Sequence, residues 1–196
     1  DFTFKLMYER HVRIKIFNKE GYEHANIEIP LYHSDGYTGQ ERLFAFKAKT
    51  FNLIDGREKD EKVKRRDLLK EKKNENWDIL KLAMPQVQEG SVLDIYYAIQ
   101  SDFAYNLREW QFQHDIPVRW SEYRVKYPEY YYYNQTIKGY VPLVIKENST
   151  SQGGATFKNG ARLSYLENVY RYAAENIPAF EREPYLATAD DYISKV

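Results

Sequence analysis

The sequence predicts an all-β fold, an antiparallel β-sandwich or a saddle of packed sheets, with roughly ten or more strands and little helix. Three observations support this. The 196 residues include 19 Tyr, 10 Phe and 3 Trp, and aromatic side chains fit pleated, half-buried surfaces. Apolar and polar residues alternate with period two over several segments. Turn-forming residues separate these segments at short intervals, as in sheet proteins with many short strands.

The N-terminal segment shows the alternation most clearly. Apolar residues occupy every second position from Phe2 to Ile16, except that Arg10 takes one of these places. The pattern predicts a strand with one solvated face, and the exception predicts a bend or bulge near residues 9–11. Turn residues at 18–21 and renewed alternation over 25–31 predict that a second strand forms a hairpin with the first.

The next stretch contains a loop, a strand and a charged segment. Residues 34–40 predict a loop, and residues 43–53 predict a bulged strand or a strand pair that ends at an Asp55-Gly56 turn. Residues 57–76 carry an excess of basic side chains. We expect a solvated hairpin and then a short helical turn at 66–73, because no aromatic residue interleaves with the charges as it would in a site for anionic polymers.

The second half of the chain predicts more short strands. Ser149 to Gly154 is rich in small polar residues and predicts a flexible loop. Strands are expected at residues 77–84 (ended by Pro85), 91–101, 109–114, 121–127, 130–137 and 140–146.

Towards the C-terminus the pattern is again extended. Residues 161–172 and 192–196 are expected to be extended, with a connector through Pro178 and Pro184 between them. A helix competes with a strand only at 103–110 and 167–175. We expect a single β-domain over 1–196 that is a fragment of a larger multi-domain protein, because domains of this length are commonly single and the chain begins without Met.

Composition narrows the classes of function. The chain contains no Cys, which excludes disulfides, cysteine metal sites and a cysteine nucleophile. Its formal net charge is zero, so we expect no nucleic-acid partner. No apolar run approaches the roughly 18 residues of a membrane helix, so we expect no membrane insertion.

Sequence motifs for catalysis or metal binding are weak. The histidines His11, His24, His33 and His114 are scattered without an HExxH pair, although His24 and His33 could face each other across a hairpin. His114 and Asp115 are adjacent and would point to opposite faces of a strand. No GxSxG, Walker or dinucleotide pattern occurs, and Gly153-Gly154 lacks a following helix. A carboxylate pair of the glycosidase type stays open. We expect no catalytic residues, no cofactor and no metal.

The most distinctive stretch is aromatic. Four consecutive tyrosines, Tyr130 to Tyr133, would place two side chains on each face of a strand. One pair would then belong to the core, and the other would be exposed. Trp120, Tyr131 and Tyr133 are the candidate ligand or partner surface, which would stack on polysaccharide or peptide.

These same residues resemble a known family, the uncharacterised domain found N-terminal to transglutaminase-like domains in bacterial cell-envelope proteins. The resemblance covers nearly the whole chain. It is carried by the stretch from Trp110 to Pro117, by Trp120-Ser121-Glu122-Tyr123 and Pro128-Glu129-Tyr130, by Met84-Pro85 with Val87, Gly90-Ser91-Val92 and Tyr96, and by the stretch from Pro178 to Tyr185.

The resemblance implies a β-sandwich or saddle similar to the N-terminal β-domain of zinc aminopeptidases, without their metal site. It implies that any catalysis belongs to an adjacent transglutaminase-like domain of the same polypeptide, and that the protein is extracytoplasmic, in the periplasm or at the cell surface. The signal and first strands expected of the family are absent from the sequence. Two functions are therefore expected: a non-catalytic structural or interaction module, or a carbohydrate- or peptide-binding module that uses exposed aromatic residues.

Overall fold

The computed structural model describes residues 4–35, 39–156, 160–180 and 193–196. In these ranges the chain is almost entirely β, as the sequence predicts. The strands are β1 (Leu6–Lys15), β2 (Asn26–Tyr32), β3 (Glu41–Ile54), β4 (Arg57–Val63), β5 (Leu69–Lys72), β6 (Trp77–Ala83), β7 (Val92–Ser101), β8 (Val118–Pro128), β9 (Ile145–Thr156) and β10 (Arg162–Ile177). Two short 3-10 helices, Lys19–Ala25 and Arg65–Asp67, interrupt them.

The strands form three antiparallel sheets. Their orders are β1-β7-β3-β4, β2-β6-β5 and β8-β10-β9. The chain divides into two compact units, Asp1–Leu107 and Arg108–Val196. The first unit contains the first two sheets and the second unit contains the third. The expectation of one domain over 1–196 stays a prediction.

The first unit is a sandwich of its two sheets. Alternate residues of β2 and β7, such as Ile29 and Ile95, are buried in one hydrophobic cluster that also includes Leu82 of β6 and Leu43 of β3. The predicted Asp55-Gly56 turn joins β3 to β4, with φ angles of 51° and 73°. A positive φ at both central residues is the geometry of a two-residue hairpin, and Asp-Gly suits it. The bulge predicted in β3 lies between Leu43 and Ala45.

The predicted hairpin of the first two strands is wrong. β1 pairs with β7, and β2 pairs with β6 in the other sheet. The 3-10 helix Lys19–Ala25 carries the chain between the sheets, and the Asn18 side chain caps it by accepting a hydrogen bond from Gly21 N at 3.3 Å. Of the bend or bulge predicted near residues 9–11, the bulge is absent, because the register of β1 with β7 is continuous. Arg10 lies half-buried in this strand, since its long aliphatic stem can cover apolar surface while its charged group stays near water.

The charged segment departs from the prediction in one part. β4 completes a solvated hairpin with β3, but the helical turn spans only Arg65–Asp67 and residues 69–72 are strand β5. Ion pairs to β6 favour the strand: Lys70 Nζ lies 2.7 Å from Asp78, and Lys81 Nζ lies 2.7 Å from Glu71. Opposite charges on neighbouring strands stabilise their pairing.

In the second unit the strands predicted at 121–127 and 161–172 are confirmed as β8 and β10, but other predicted positions are wrong. Residues 109–114, 130–137 and 140–144 form no strand, apart from a single bridge of Gln111 to Lys195. Lys138, between the last two ranges, also forms a single bridge to Lys195. The predicted flexible loop at 149–154 is the middle of β9, which pairs with β10 over twelve positions. The helix that competed at 167–175 is strand β10. The connector through Pro184, residue 192 and part of the 34–40 loop lie outside the described residues.

Candidate functional site

The second unit contains an irregular segment that joins β8 to β9. We call residues 129–144 the tyrosine segment. Backbone hydrogen bonds hold it at both ends: Glu129 N donates to Leu166 O at 2.8 Å, and Val144 N donates to Ala173 O at 2.8 Å. In its middle, Lys138 and Lys195 exchange backbone hydrogen bonds of 2.9 and 3.1 Å. The tyrosine segment is therefore fixed to the unit although it has no strand of its own.

The inner side of the tyrosine segment continues a row of tyrosines from the sheet. Tyr131 stacks on Tyr133 with ring centroids 6.1 Å apart, and Tyr133 meets Tyr127 edge-on at 4.7 Å. Tyr127 stacks on Tyr170 at 5.8 Å, and Tyr170 stacks on Tyr172 at 6.4 Å. Offset and edge-on aromatic pairs of this kind stabilise beyond the area that they bury.

Three hydroxyl groups of this row, those of Tyr127, Tyr133 and Tyr172, are held in the protonated form. Burial raises the pKa of Tyr133 and that of Tyr172. Burial also raises the pKa of Tyr127, and a hydrogen bond with Tyr170 raises it further. The Tyr172 hydroxyl donates to Gln135 Oε1 at 2.6 Å. These phenols therefore act as neutral packing and hydrogen-bonding groups.

The outer side of the tyrosine segment is apolar and solvated. Tyr132 is 89% exposed, Tyr140 86% and Tyr130 60%. Ile137 and Val144 are also exposed on the same segment. This set of exposed side chains is the largest along any single segment of the described residues.

Two of the three residues predicted as a ligand or partner surface, Tyr131 and Tyr133, lie in the tyrosine segment. Tyr131 and Tyr133 are half-buried in the tyrosine row, and it is Tyr130 and Tyr132 that are exposed. As predicted, two of the four tyrosines are exposed and two are not. A turn after Pro128, in which Tyr131 N donates to Pro128 O at 3.0 Å, determines which two are exposed. Because the four residues are identical, the sequence does not indicate which pair is exposed. That Tyr131 and Tyr133 bind a ligand stays a prediction.

Trp120 lies on the sheet and belongs to a charged cluster that is centred on Glu122. Its side chain is 46% exposed, and Nε1 donates to Glu122 Oε2 at 3.1 Å. Glu122 Oε1 accepts from Arg171 Nε at 2.7 Å and from Arg124 Nε. We call these four residues the Trp–Arg cluster. Arg124 and Arg171 are direct cross-strand neighbours on β8 and β10, so both guanidinium groups reach one carboxylate.

The carboxylate of the Trp–Arg cluster is strongly acidic. The hydrogen bond from Arg171 lowers the pKa of Glu122 from its ordinary value of 4.5 to about 2, against the opposing effect of burial, and Arg124 and Trp120 add to the lowering. The Glu122 side chain is 17% exposed, so its ion pairs are partly shielded from water.

We expect Glu122→Gln to remove stability that depends on pH. Because the folded pKa lies below the unfolded one, the stabilisation is present above about pH 4.5 and is lost as the pH falls towards 2. The shift corresponds to about 3 kcal/mol of unfolding free energy at neutral pH. Urea unfolding at pH 7 and at pH 3 should therefore show a smaller pH difference for Glu122→Gln than for the unchanged chain. Glu147→Gln is the control, since Glu147 is 64% exposed and lies 3.6 Å from Arg171 Nη1. Equal pH differences in all three chains would contradict the prediction.

The histidines are dispersed. His11 Nε2 lies 2.9 Å from Asp94, and His33 Nε2 lies 3.7 Å from Asp78. His24 Nε2 lies 3.8 Å from the carboxylate of Glu23, the preceding residue in the chain. The predicted hairpin that would have brought His24 and His33 together is absent. Among the described residues no three His, Asp or Glu side chains are grouped to hold a metal ion.

A polar depression of about 580 Å³ lies in the first unit. Its lining includes His33, Glu41, Arg42, Lys70 and Asp78. Lys70 is already paired with Asp78, and Glu41 accepts a hydrogen bond from Tyr32 N at 2.9 Å. The carboxylates of Asp78 and Glu41 in this depression therefore already have partners within the unit. No helix in the described ranges is long and apolar enough to cross a membrane.

Comparison with known proteins gives one similar fold. No protein-family model matches the chain, and no curated protein matches it. The chain is similar to a solved structure, that of a putative protease from Parabacteroides distasonis, with a TM-score of 0.64 and 13% sequence identity. The similarity covers 97% of this chain and 36% of that protein. It shows a shared fold, and the chain spans about a third of the length of that protein.

Proposed function

We propose that this chain is a non-catalytic interaction module of a larger extracytoplasmic protein, and that it packs against a transglutaminase-like domain of the same polypeptide. The observation that carries the proposal is the exposed outer side of the tyrosine segment. Tyrosine is enriched at interfaces because it combines a large apolar body with a polar end. Here Tyr130, Tyr132 and Tyr140 are presented by a segment that is already fixed by hydrogen bonds. Preorganisation of this kind lowers the entropic cost of association.

Two further observations support the proposal. The similar fold in the putative protease forms about a third of a longer chain. The motifs from Trp110 to Tyr130 resemble those of the domain that precedes transglutaminase-like domains. Part of these motifs belongs to the core, because Phe112 is 1% exposed and Trp110 stacks on Tyr123. Tyr130, at the end of these motifs, is exposed and is continued by the exposed Tyr132 and Tyr140, which leaves these three side chains for a partner.

Tyrosine nitration tests the proposal. The chain alone and the full-length parent polypeptide are treated with the same low dose of tetranitromethane, and modification is quantified by mass spectrometry. We expect Tyr132 and Tyr140 to react several-fold more slowly in the parent, because the neighbouring domain covers them. Tyr105 is the internal control, since it is 74% exposed and belongs to the first unit. Equal rates at Tyr132 and Tyr140 in both proteins would reject this surface as the contact.

The alternative is a carbohydrate- or peptide-binding module. One observation favours it: the half-exposed Trp120 shares the carboxylate of Glu122 with two arginines on one face of the sheet. Under this alternative the tyrosine segment would be equally reactive in the chain and in the parent, and a soluble ligand would protect Trp120 instead.

A further inference from the structure

We infer that the Trp–Arg cluster is a binding site for a carboxylated sugar. This inference develops the alternative function and does not depend on the interaction-module proposal. Trp120, Glu122, Arg124 and Lys126 alternate along β8 and therefore stand on one face of the sheet. Their cross-strand partners on β10 share that face, and they are Glu175, Ala173, Arg171 and Val169.

The arginines of the cluster are held ready for an anion. Glu122 binds both guanidinium groups through Nε. Arg124 is 66% exposed, and among the described residues its Nη1 and Nη2 atoms have no partner. A guanidinium group presents a planar fork of N–H donors that matches a carboxylate. Because Glu122 fixes the position of the fork, less side-chain entropy is lost when a ligand binds.

Charge along the face is uneven, and this gives the ligand an orientation. Glu175 lies opposite Trp120, whereas Lys126 lies next to Arg124 on the same face. Glu147 of β9 lies 3.6 Å from Arg171 and offsets part of its charge. The acidic group of a ligand should therefore lie towards Arg124 and Lys126, and an uncharged ring should lie over Trp120. Residues 120 and 124 are separated by about 13 Å along the strand, four residues at roughly 3.3 Å each.

The geometry favours a sugar over a peptide strand. β8 lies at the edge of its sheet within the described residues. A peptide that pairs with this edge would place its backbone in the plane of the sheet. The indole and the guanidinium groups instead stand perpendicular to that plane. A ligand recognised by the face must offer a flat ring surface and a carboxylate together, and a carboxylated sugar combines the two.

Calorimetric titration of the whole chain tests the inference. The probes are oligogalacturonate, an alginate oligomer and a hyaluronate oligomer, with methyl-esterified oligogalacturonate and a short poly-glutamate peptide for comparison. We expect at least one acidic oligosaccharide to bind, with affinity that falls as salt rises. Esterification should weaken binding about tenfold, as expected for loss of a charge-assisted hydrogen bond.

The variants separate this face from other surfaces. Trp120→Ala and Arg124→Gln should each weaken binding about tenfold or more. Arg119→Gln is the matched control, because Arg119 is an exposed arginine of the same strand on the opposite face. Tyr132→Ala should also leave binding of the oligosaccharide unchanged. The sugar-site inference can therefore fail without affecting the proposal that the tyrosine segment contacts a neighbouring domain. Unfolding curves check that each variant is folded.

Three results would overturn the inference. They are no binding of any acidic oligosaccharide at millimolar concentration, equal binding of the esterified probe, and equal losses from Arg119→Gln and Arg124→Gln. If poly-glutamate alone binds, and Arg124→Gln abolishes it, the face recognises acidic peptide and the assignment to a sugar is wrong.

Discussion

Gly139→Ala is expected to lower the free energy of unfolding by about 3 kcal/mol or more. Gly139 has a φ angle of +90°, which L-residues other than glycine adopt only at a cost of about 1 to 2 kcal/mol. An added Cβ would also overlap with the Cα and Oγ atoms of Ser194. Backbone atoms cannot move aside as the end of a flexible side chain can, so the two segments would have to separate.

The separation would break a small network. Ser194 accepts from Phe112 N at 2.8 Å through its carbonyl oxygen, and its hydroxyl oxygen accepts from Val141 N at 3.0 Å. The neighbouring Lys138 and Lys195 pair through their backbones. Ser194 is 3% exposed, so these groups would lose their partners away from bulk water. A buried polar group without a partner costs about 1 to 3 kcal/mol.

Gly160→Ala is the matched control for Gly139→Ala. Gly160 has a φ angle of +84° and belongs to the same unit, but no atom of the described residues lies within 4 Å of a Cβ built on it. Its substitution should cost only the conformational part, about 1 to 2 kcal/mol. Urea unfolding followed by tryptophan fluorescence gives both values. Equal losses in the two variants would show that the contact with Ser194 is absent in solution.

The sequence predicts strands well where one face of a sheet is solvated. In β1 and β2, side chains alternate between core and water, and the alternation is visible in the residues themselves. The Asp55-Gly56 turn is equally local, because positive φ angles at both positions demand particular residues.

Strand pairing is not local and was predicted less well. Leu6 pairs with Ser101, and no residue near β1 encodes that choice. Reasoning from the turn at 18–21 favoured the neighbour in sequence, whereas the core needed β1 and β2 in different sheets. β9 was missed for a related reason: its Ser, Thr, Asn and Gly residues have little intrinsic strand preference, and the pairing with β10 determines their conformation.

The candidate sites divide in the same way. Trp120 could be selected from the sequence because it belongs to the distinctive aromatic stretch from Trp110 to Tyr133. Arg171 could not, because it joins Glu122 from a strand 49 positions away. Gly153 was interpreted as part of a loop, but a Cβ there would meet Tyr165 and Glu167 side-chain atoms at 2.6 Å. The absence of a side chain at Gly153 leaves room for these two side chains inside the sheet.

Phe112→Ala is expected to cost about 3 to 5 kcal/mol of unfolding free energy. Phe112 is 1% exposed and forms the second hydrophobic cluster with Tyr172, Ala174 and Ile177. Removal of its ring would leave a cavity between the sheet and the C-terminal residues, since the Phe112 backbone also pairs with Ser194. Phe17→Ala is the control: Phe17 is 81% exposed, and its loss should change stability by less than about 0.5 kcal/mol.

The outcome bears on what the aromatic stretch from Trp110 onwards is for. Trp110 stacks on Tyr123 at 5.7 Å and donates from Nε1 to Ser121 Oγ at 3.1 Å, so this part of the stretch is internal. A large loss in Phe112→Ala with no loss in Phe17→Ala would confirm that it builds the core, which leaves the outer tyrosines and Trp120 for recognition. A loss below about 1 kcal/mol would mean that the segment is not packed as described. The support beneath Ser194 would then be missing, and Gly139→Ala would also be mild.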